Sequence, residues 1–146
     1  MITPSGEIQV ARYGNAGLRV NRMGNDGTNI TIHNRGVTVG SISTTSTSTS
    51  FNESSDERLK ENIADSADAG SKIDAIQIRQ FDWISNGEHQ DYGVIAQELI
   101  NVVPSAVAVG DTEEDMMGVD YSKLVPLLVK EVQALRSRVA QLEESE

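Results

Sequence analysis

An α+β chain whose pieces bury surface against other chains is predicted from three features of the sequence. Residues 1–40 alternate apolar and polar side chains between glycine turns. The stretch after a Ser/Thr run mixes short strand and helix patterns. The C-terminal segment keeps a heptad. Its 146 residues suit one ordinary domain or two small pieces. With 38% hydrophobic and 4% aromatic residues a monomeric core would be thin, so burial between subunits is expected.

The N-terminal runs are "EIQV", "GLRVNRM", "TNITIHN" and "GVTVGSI", separated by the turn signals Gly14-Asn15, Asn25-Asp26-Gly27 and Arg35-Gly36. Alternation cut by glycine turns predicts short strands. Each is too weak to stand alone, so partners on neighbouring chains are expected; the plainer alternative is a flexible arm. Residues 41–50, "SISTTSTSTS", hold one apolar side chain. They are either a linker or an extended segment wrapping a shaft.

From Asp56 to about Asp65 the pattern turns helical. Ser54 with Glu57 fits a capping box, Asp56 and Glu57 suit a helix start, and Leu59 and Ile63 lie four apart. "SADAGSK" ends that helix, and "IDAIQIRQFDWI" predicts a strand with a bulge after Ile78. Asn86-Gly87 marks a hairpin with a connection longer than two residues. "AQELINVV" is a short helix stopped by Pro104; "AVAVG" and "MMGVDY" are two short strands around the acidic loop "DTEED".

The last segment is the clearest. Tyr121, Val125, Leu128, Val132, Leu135, Val139 and Leu142 alternate spacings of four and three, with Val at a and Tyr or Leu at d. A coiled-coil helix over 120–144 is predicted, with Glu131 placed to meet Arg136 of a neighbour and Arg138 to meet Glu143. Pro126 falls in the first turns, where it is tolerated. The alternative is an amphipathic helix packed on its own domain. Val at a with Leu at d leans towards a dimer, but three heptads do not fix the oligomeric state.

Charge excludes several functions. The net charge is −10; four arginines against three carboxylates give residues 1–54 +1, which leaves −11 for the remainder. An acidic second part argues against nucleic acid, which needs phosphate-neutralising side chains, and against an anionic membrane surface. No apolar run nears the roughly 20 residues of a membrane span, and no leader is legible, so a soluble chain, a fragment of something longer, is expected. With no cysteine there is neither a disulfide nor a thiolate metal site.

"SSDERLKENI" sets Ser55 and Lys60 five apart at a seam in composition. A serine attacks only if something takes its proton, and a neutral lysine can. Lysine ordinarily titrates near about 10.4, so at pH 7 roughly one in 2,500 is neutral. Moving it to 7 takes about three units, about 4 kcal/mol. Burial can supply that, whereas Asp56, Glu57 and Glu61 oppose it. Within one helix the two side chains would stand about 140° apart. With Ser55 at or before the cap, it can fold back to Lys60. On spacing alone the pair reads as a cap and a solvated lysine.

Other constellations carry less. His33 and His89 are far apart and read as surface or hydrogen-bonded residues. Asp111, Glu113, Glu114 and Asp115 lack the spacing of a calcium loop and read as a solvated tip. Phe81 and Trp83 read as core. Gln97 and Glu98 receive no catalytic role, and neither metal nor cofactor is expected.

"SSDERLKENI", "FDW", "DYGVIAQELINVVPSAV" and "DYSKLVPLLVKEVQALRSRVAQLE", taken in order, resemble the C-terminal intramolecular chaperone of bacteriophage tailspikes, tail fibres and neck appendages, the endosialidase type. The resemblance runs from about Ser55 to Glu146; "GTNITIHNRGVTVGSIS" is a softer match to the ends of such fibres. It implies a homotrimer with an intertwined β-rich fibre end, a small mixed α/β chaperone domain and a trimeric coiled coil. The chaperone brings three fibre chains into register and then cuts itself off. Carried over, Ser55 is the nucleophile, Lys60 the base and Ser54–Ser55 the scissile bond. Residues 1–54 would end the mature virion fibre; 55–146 would act in the host cytoplasm and be released. The partners implied are two further copies, the upstream part of the same polypeptide and a host-surface receptor. Two alternatives are a trimerisation cap that stays attached and a receptor-binding tip in residues 1–40.

Overall fold

A computed structural model describes Ile8, Val10, Tyr13, Gly14 and residues 16–145, which fall into two compact units, Met1–Ile63 and Ala64–Glu146. Glu7 and Gln9 of the "EIQV" run and Asn15 of the first turn signal lie outside the described residues.

The first unit is a three-stranded antiparallel sheet in the order β1 (Gly27–Asn34), β2 (Val37–Thr44), β3 (Thr49–Glu53). Asn34 pairs with Val37, so Arg35-Gly36 is a two-residue turn, and both residues have positive φ, 50° and 82°. That is the backbone twist two-residue hairpins favour, and the glycine takes it without strain. The Ser/Thr run is the end of β2, a turn over 45–48 and the start of β3, not a linker. Thr45 Oγ1 accepts from the N–H groups of Thr47 and Ser48, which turns β2 into β3. Asn52 Nδ2 then donates across the pair to Ser41 Oγ at 3.2 Å and Ser43 Oγ at 2.6 Å. "GLRVNRM" forms no strand. In this unit no described residue is buried; Phe51 is 79% exposed and Val37 57%. The sheet is hydrogen-bonded but lacks a core of its own.

The second unit holds α1 (Gly70–Ala75), the hairpin β4 (Arg79–Asp82) and β5 (His89–Gly93), α2 (Ala96–Leu99), the two-residue pair β6 (Val107–Ala108) and β7 (Gly118–Val119), and α3 (Val125–Glu143). The strand expected from Ile73 is helical as far as Ala75 and begins only at Arg79, with its irregularity between Arg79 and Phe81. The Asn86-Gly87 hairpin forms as expected, closed by Trp83 N–H to Glu88 O and Gly87 N–H to Trp83 O. Phe81 lies across Gly93, where an added Cβ would come within 2.6 Å of its ring. Trp83 meets Phe81 edge-on, centroids 5.4 Å apart, yet is 52% exposed, so it is not the core residue expected. It sits beside the Asn86-Gly87 turn and is not among the apolar groups that form the core.

Those groups are Val94, Leu99, Val103 and Ala106, with Ile76, Val102, Val107, Val119, Leu124 and Leu127 packed around them. The helix expected to run to Pro104 ends earlier, at Leu99 with Ile100 as its cap, and Pro104 instead opens a 3-10 turn that carries Ala106 inward. Leu99 is 2% exposed and central to this small cluster. Leu99→Ala should cost about 2–5 kcal/mol, a large share of what a small domain has. Urea unfolding followed by far-ultraviolet dichroism at fixed protein concentration checks this; a loss under about 1 kcal/mol would mean the cluster collapses to fill the gap.

The C-terminal helix starts later than expected. Tyr121–Leu124 form a 3-10 turn capped by Asp120, and α3 runs 19 residues from Val125 with Pro126 in its first turn. Leu124 and Leu127 pack on the core, and Glu131 approaches Gly70. The heptad residues lie on another face: Val125, Leu128, Val132, Leu135, Val139 and Leu142 are each 46–68% exposed. The alternative of a heptad packed on its own domain is therefore not what the chain does.

Candidate functional site

The seam between sheet and linker is built from Ser54 to Lys60. Ser54 continues the β3 pairing: its N–H donates to Val39 O at 3.0 Å and its hydroxyl to Thr38 O at 3.1 Å. It is not the predicted cap, because the edge of β2 captures its hydroxyl. Asp56 caps instead, with an extended backbone and its carboxylate accepting from Arg58 N–H.

The expected helix over 56–65 is a single 3-10 turn, Glu57–Leu59, with Lys60 extended and Asn62 at φ 55°. Leu59 and Ile63 are 64% and 65% exposed, so no packing extends the turn, and helices this short do not persist without it. The shortening brings the two sequence-predicted residues together. Ser55 and Lys60 bracket one tight turn, both outside helical geometry, and Lys60 Nζ lies 2.7 Å from Ser55 Oγ and 3.0 Å from Ser55 O. At that distance a proton can pass between the amine and the hydroxyl in one step. Both residues are exposed in the single chain.

Electrostatics around the pair are organised by a residue that sequence reasoning missed. Arg58 Nε and Nη2 grip Asp56 Oδ1 and Oδ2 at 2.9 and 2.7 Å. The Arg58 guanidinium holds the Asp56 carboxyl below its ordinary range, helped by the Arg58 N–H and, more weakly, by the charge of Lys60, against a small opposing effect of desolvation. The only signal was an Asp-x-Arg spacing, which carries no information until the turn type is known.

Elsewhere, Glu98 forms a two-pronged pair with Arg79 across α2 and β4, at 2.9 and 3.0 Å, which lowers the Glu98 carboxyl through that hydrogen bond. His33 contacts Thr38 Oγ1 at 3.4 Å; His89 stands between Asp82 and Asp91, at 2.6 and 3.5 Å. Both are surface residues with polar neighbours, as expected. Asp115 closes the acidic loop by accepting from Thr112 N–H and its hydroxyl. Among the described residues no group of three or more His, Asp or Glu is arranged to hold a metal ion, and no helix is long and apolar enough to cross a membrane.

Residues 55–108 match a family model, Peptidase_S74, described as the chaperone of endosialidase. The match begins on Ser55 and stops short of α3, so it covers less of the chain than the resemblance read from the sequence. Comparison with curated proteins returned no match, and neither did comparison with solved structures.

Proposed function

We propose, from the match of residues 55–108 to the chaperone-of-endosialidase model, that the chain is the C-terminal end of a phage fibre protein, whose chaperone assembles three copies and then releases itself by cutting the Ser54–Ser55 bond. The observation that carries this reading is the 2.7 Å contact between Lys60 Nζ and Ser55 Oγ beside a peptide bond held on both sides. Ser54 is tied to β2, and Ser55 is tied to Lys60.

In the reaction proposed, Ser55 Oγ attacks the Ser54 carbonyl carbon while Lys60 takes its proton. The C–N bond then breaks, the Ser55 nitrogen receives the proton, and an ester joins Ser54 to Ser55 Oγ. Water hydrolyses that ester and leaves a carboxylate on Ser54. Direct attack by water on the same carbonyl gives the same products. Lys60 works as a base only when neutral, and in the single chain it is open to solvent. A neighbouring subunit that covered it would remove water from the ammonium and favour the amine. Cutting would then report assembly.

The exposed heptad of α3 and the coreless sheet of residues 27–53 support three-fold association of both ends. Strands from three chains have few local contacts and slip in register easily, so an early-forming trimer raises the effective concentration of the remaining strands. Removing it afterwards makes the fibre kinetically stable. Residues 1–54 would stay on the virion, where the exposed strands could meet a host-surface receptor; the chaperone would leave in the host cytoplasm. The second reading, an attached cap with an idle pair, gains support from the solvent exposure of Lys60.

Intact mass of freshly purified protein decides between them. Two fragments joining at 54/55, reduced to one full-length species in Ser55→Ala, support self-cleavage. One full-length species from an assembled wild-type trimer supports the attached cap.

A further inference from the structure

We propose that Arg58 is a positioning residue of the dyad: by gripping both oxygens of Asp56 it keeps that carboxylate from holding a proton on Lys60. The inference rests on the self-cleavage reading and adds a residue to it.

Asp56 stands between the two dyad residues in the chain, and its charge and that of Lys60 feel each other. The attraction is mutual. Whatever Lys60 does to favour the ionised carboxyl, a free carboxylate does to favour ammonium over amine, and only the amine can take the Ser55 proton. Left without a partner, Asp56 would be a counter-ion for Lys60 and would compete with Ser55 for it. Arg58 removes that competitor. Its Nε and Nη2 occupy Oδ1 and Oδ2, and its backbone N–H takes Oδ1 as well, at 2.9 Å. A guanidinium fork suits this role because it is planar, always charged and matches both carboxylate oxygens at once.

The same grip shapes the turn. Asp56 caps Glu57–Leu59, and that turn returns Lys60 to Ser55. Glu53, Glu57 and Glu61 are the other carboxylates close in sequence. They stay in place in every variant below, so differences between variants belong to the Asp56–Arg58 pair. Val39 and Thr38, which hold Ser54 from β2, bring no titratable side chain.

The test compares self-cleavage of the full chain, Arg58→Ala, Arg58→Lys and the double variant Asp56→Asn/Arg58→Ala, with Lys60→Ala as the uncut control. Cleavage rates are read between pH 6 and 10, and assembly by size-exclusion chromatography. Arg58→Ala should slow cleavage at pH 7 by about threefold or more and move the half-maximal pH up by about half a unit. Arg58→Lys, with charge but no fork, should fall between. The double variant should return the pH profile to that of wild type, since asparagine caps a turn about as well as aspartate but carries no charge.

Two results overturn the inference. One is an Arg58→Ala chain that cuts at the wild-type rate and pH. The other is a slowed chain that Asp56→Asn does not restore, which would make Arg58 a structural support alone. If Arg58→Ala fails to assemble, the Arg58→Lys and double variants decide by the same criteria. A wild-type chain that assembles and stays whole sinks the self-cleavage reading itself, and the Arg58 role with it.

Discussion

Lys60→Ala should leave the chain uncut. General-base assistance is worth about 10²–10⁴ in rate. A bond that wild type severs within an hour would then last from days to more than a year. The effect should be on chemistry alone: the Ser54 contacts to β2 do not involve the lysine, and neither does the core of the second unit. The variant should therefore assemble like wild type and accumulate as an intact oligomer. Lys60→Arg should be equally dead. Arginine keeps the charge and could still donate to Ser55 Oγ and O, but it does not give up its proton at any pH a protein survives. That pair of variants separates two roles the contact geometry allows. A lysine that serves as a fixed positive charge would be replaced in part by arginine; a lysine that takes a proton would not. A wild-type rate that rises with pH while the arginine variant stays flat is the matching signature. Cleavage that survives in both variants would remove Lys60 from the reaction.

How much of this was legible in the sequence depends on how local the cause is. Arg35-Gly36 and Asn86-Gly87 act through the backbone of two residues, and each does what its chemistry requires. The heptad of α3 was visible because periodicity over many residues averages out local noise. Errors arose where the outcome turned on packing partners. Leu59 and Ile63 have helical spacing but nothing to pack on, so the turn stops at Leu59. Ile73 falls in a helix because Gly70–Ala75 lies beside α3, which the alternation of Ile76 and Ile78 concealed. Trp83, read as core, is half-exposed. At the site, residue types and the seam position were legible, and the resemblance named the pair. The 2.7 Å contact was not, since it depends on a 3-10 turn where a longer helix was expected.

Leu135→Asp should abolish both assembly and cutting, although it lies far along the chain from the dyad. Leu135 sits at a d position on the face of α3 that the protein's own core does not use, and it is 46% exposed in the single chain. Leu124 and Leu127 anchor the helix to its unit and are untouched, so the variant keeps its fold. On the trimer proposed above, what it loses lies between chains. Each subunit forgoes about 1.5–3 kcal/mol of leucine burial. Each must also bring a carboxylate close to those of its partners, at a cost of several kcal/mol. At about 1.4 kcal/mol per factor of ten, the association constant falls by well over a thousandfold for each chain added. Sedimentation at micromolar concentration should find monomers, whereas Gln133→Asp, one residue past Val132 and off the seam, should leave the oligomer intact. The state of the 54–55 bond in the monomeric variant then carries the most information. If it stays whole with Ser55 and Lys60 both present, cutting depends on the presence of the neighbours, as expected for an amine that another subunit must shield. If the monomer cuts itself at the wild-type rate, the turn from Ser55 to Lys60 is sufficient by itself, and release is timed by something other than assembly.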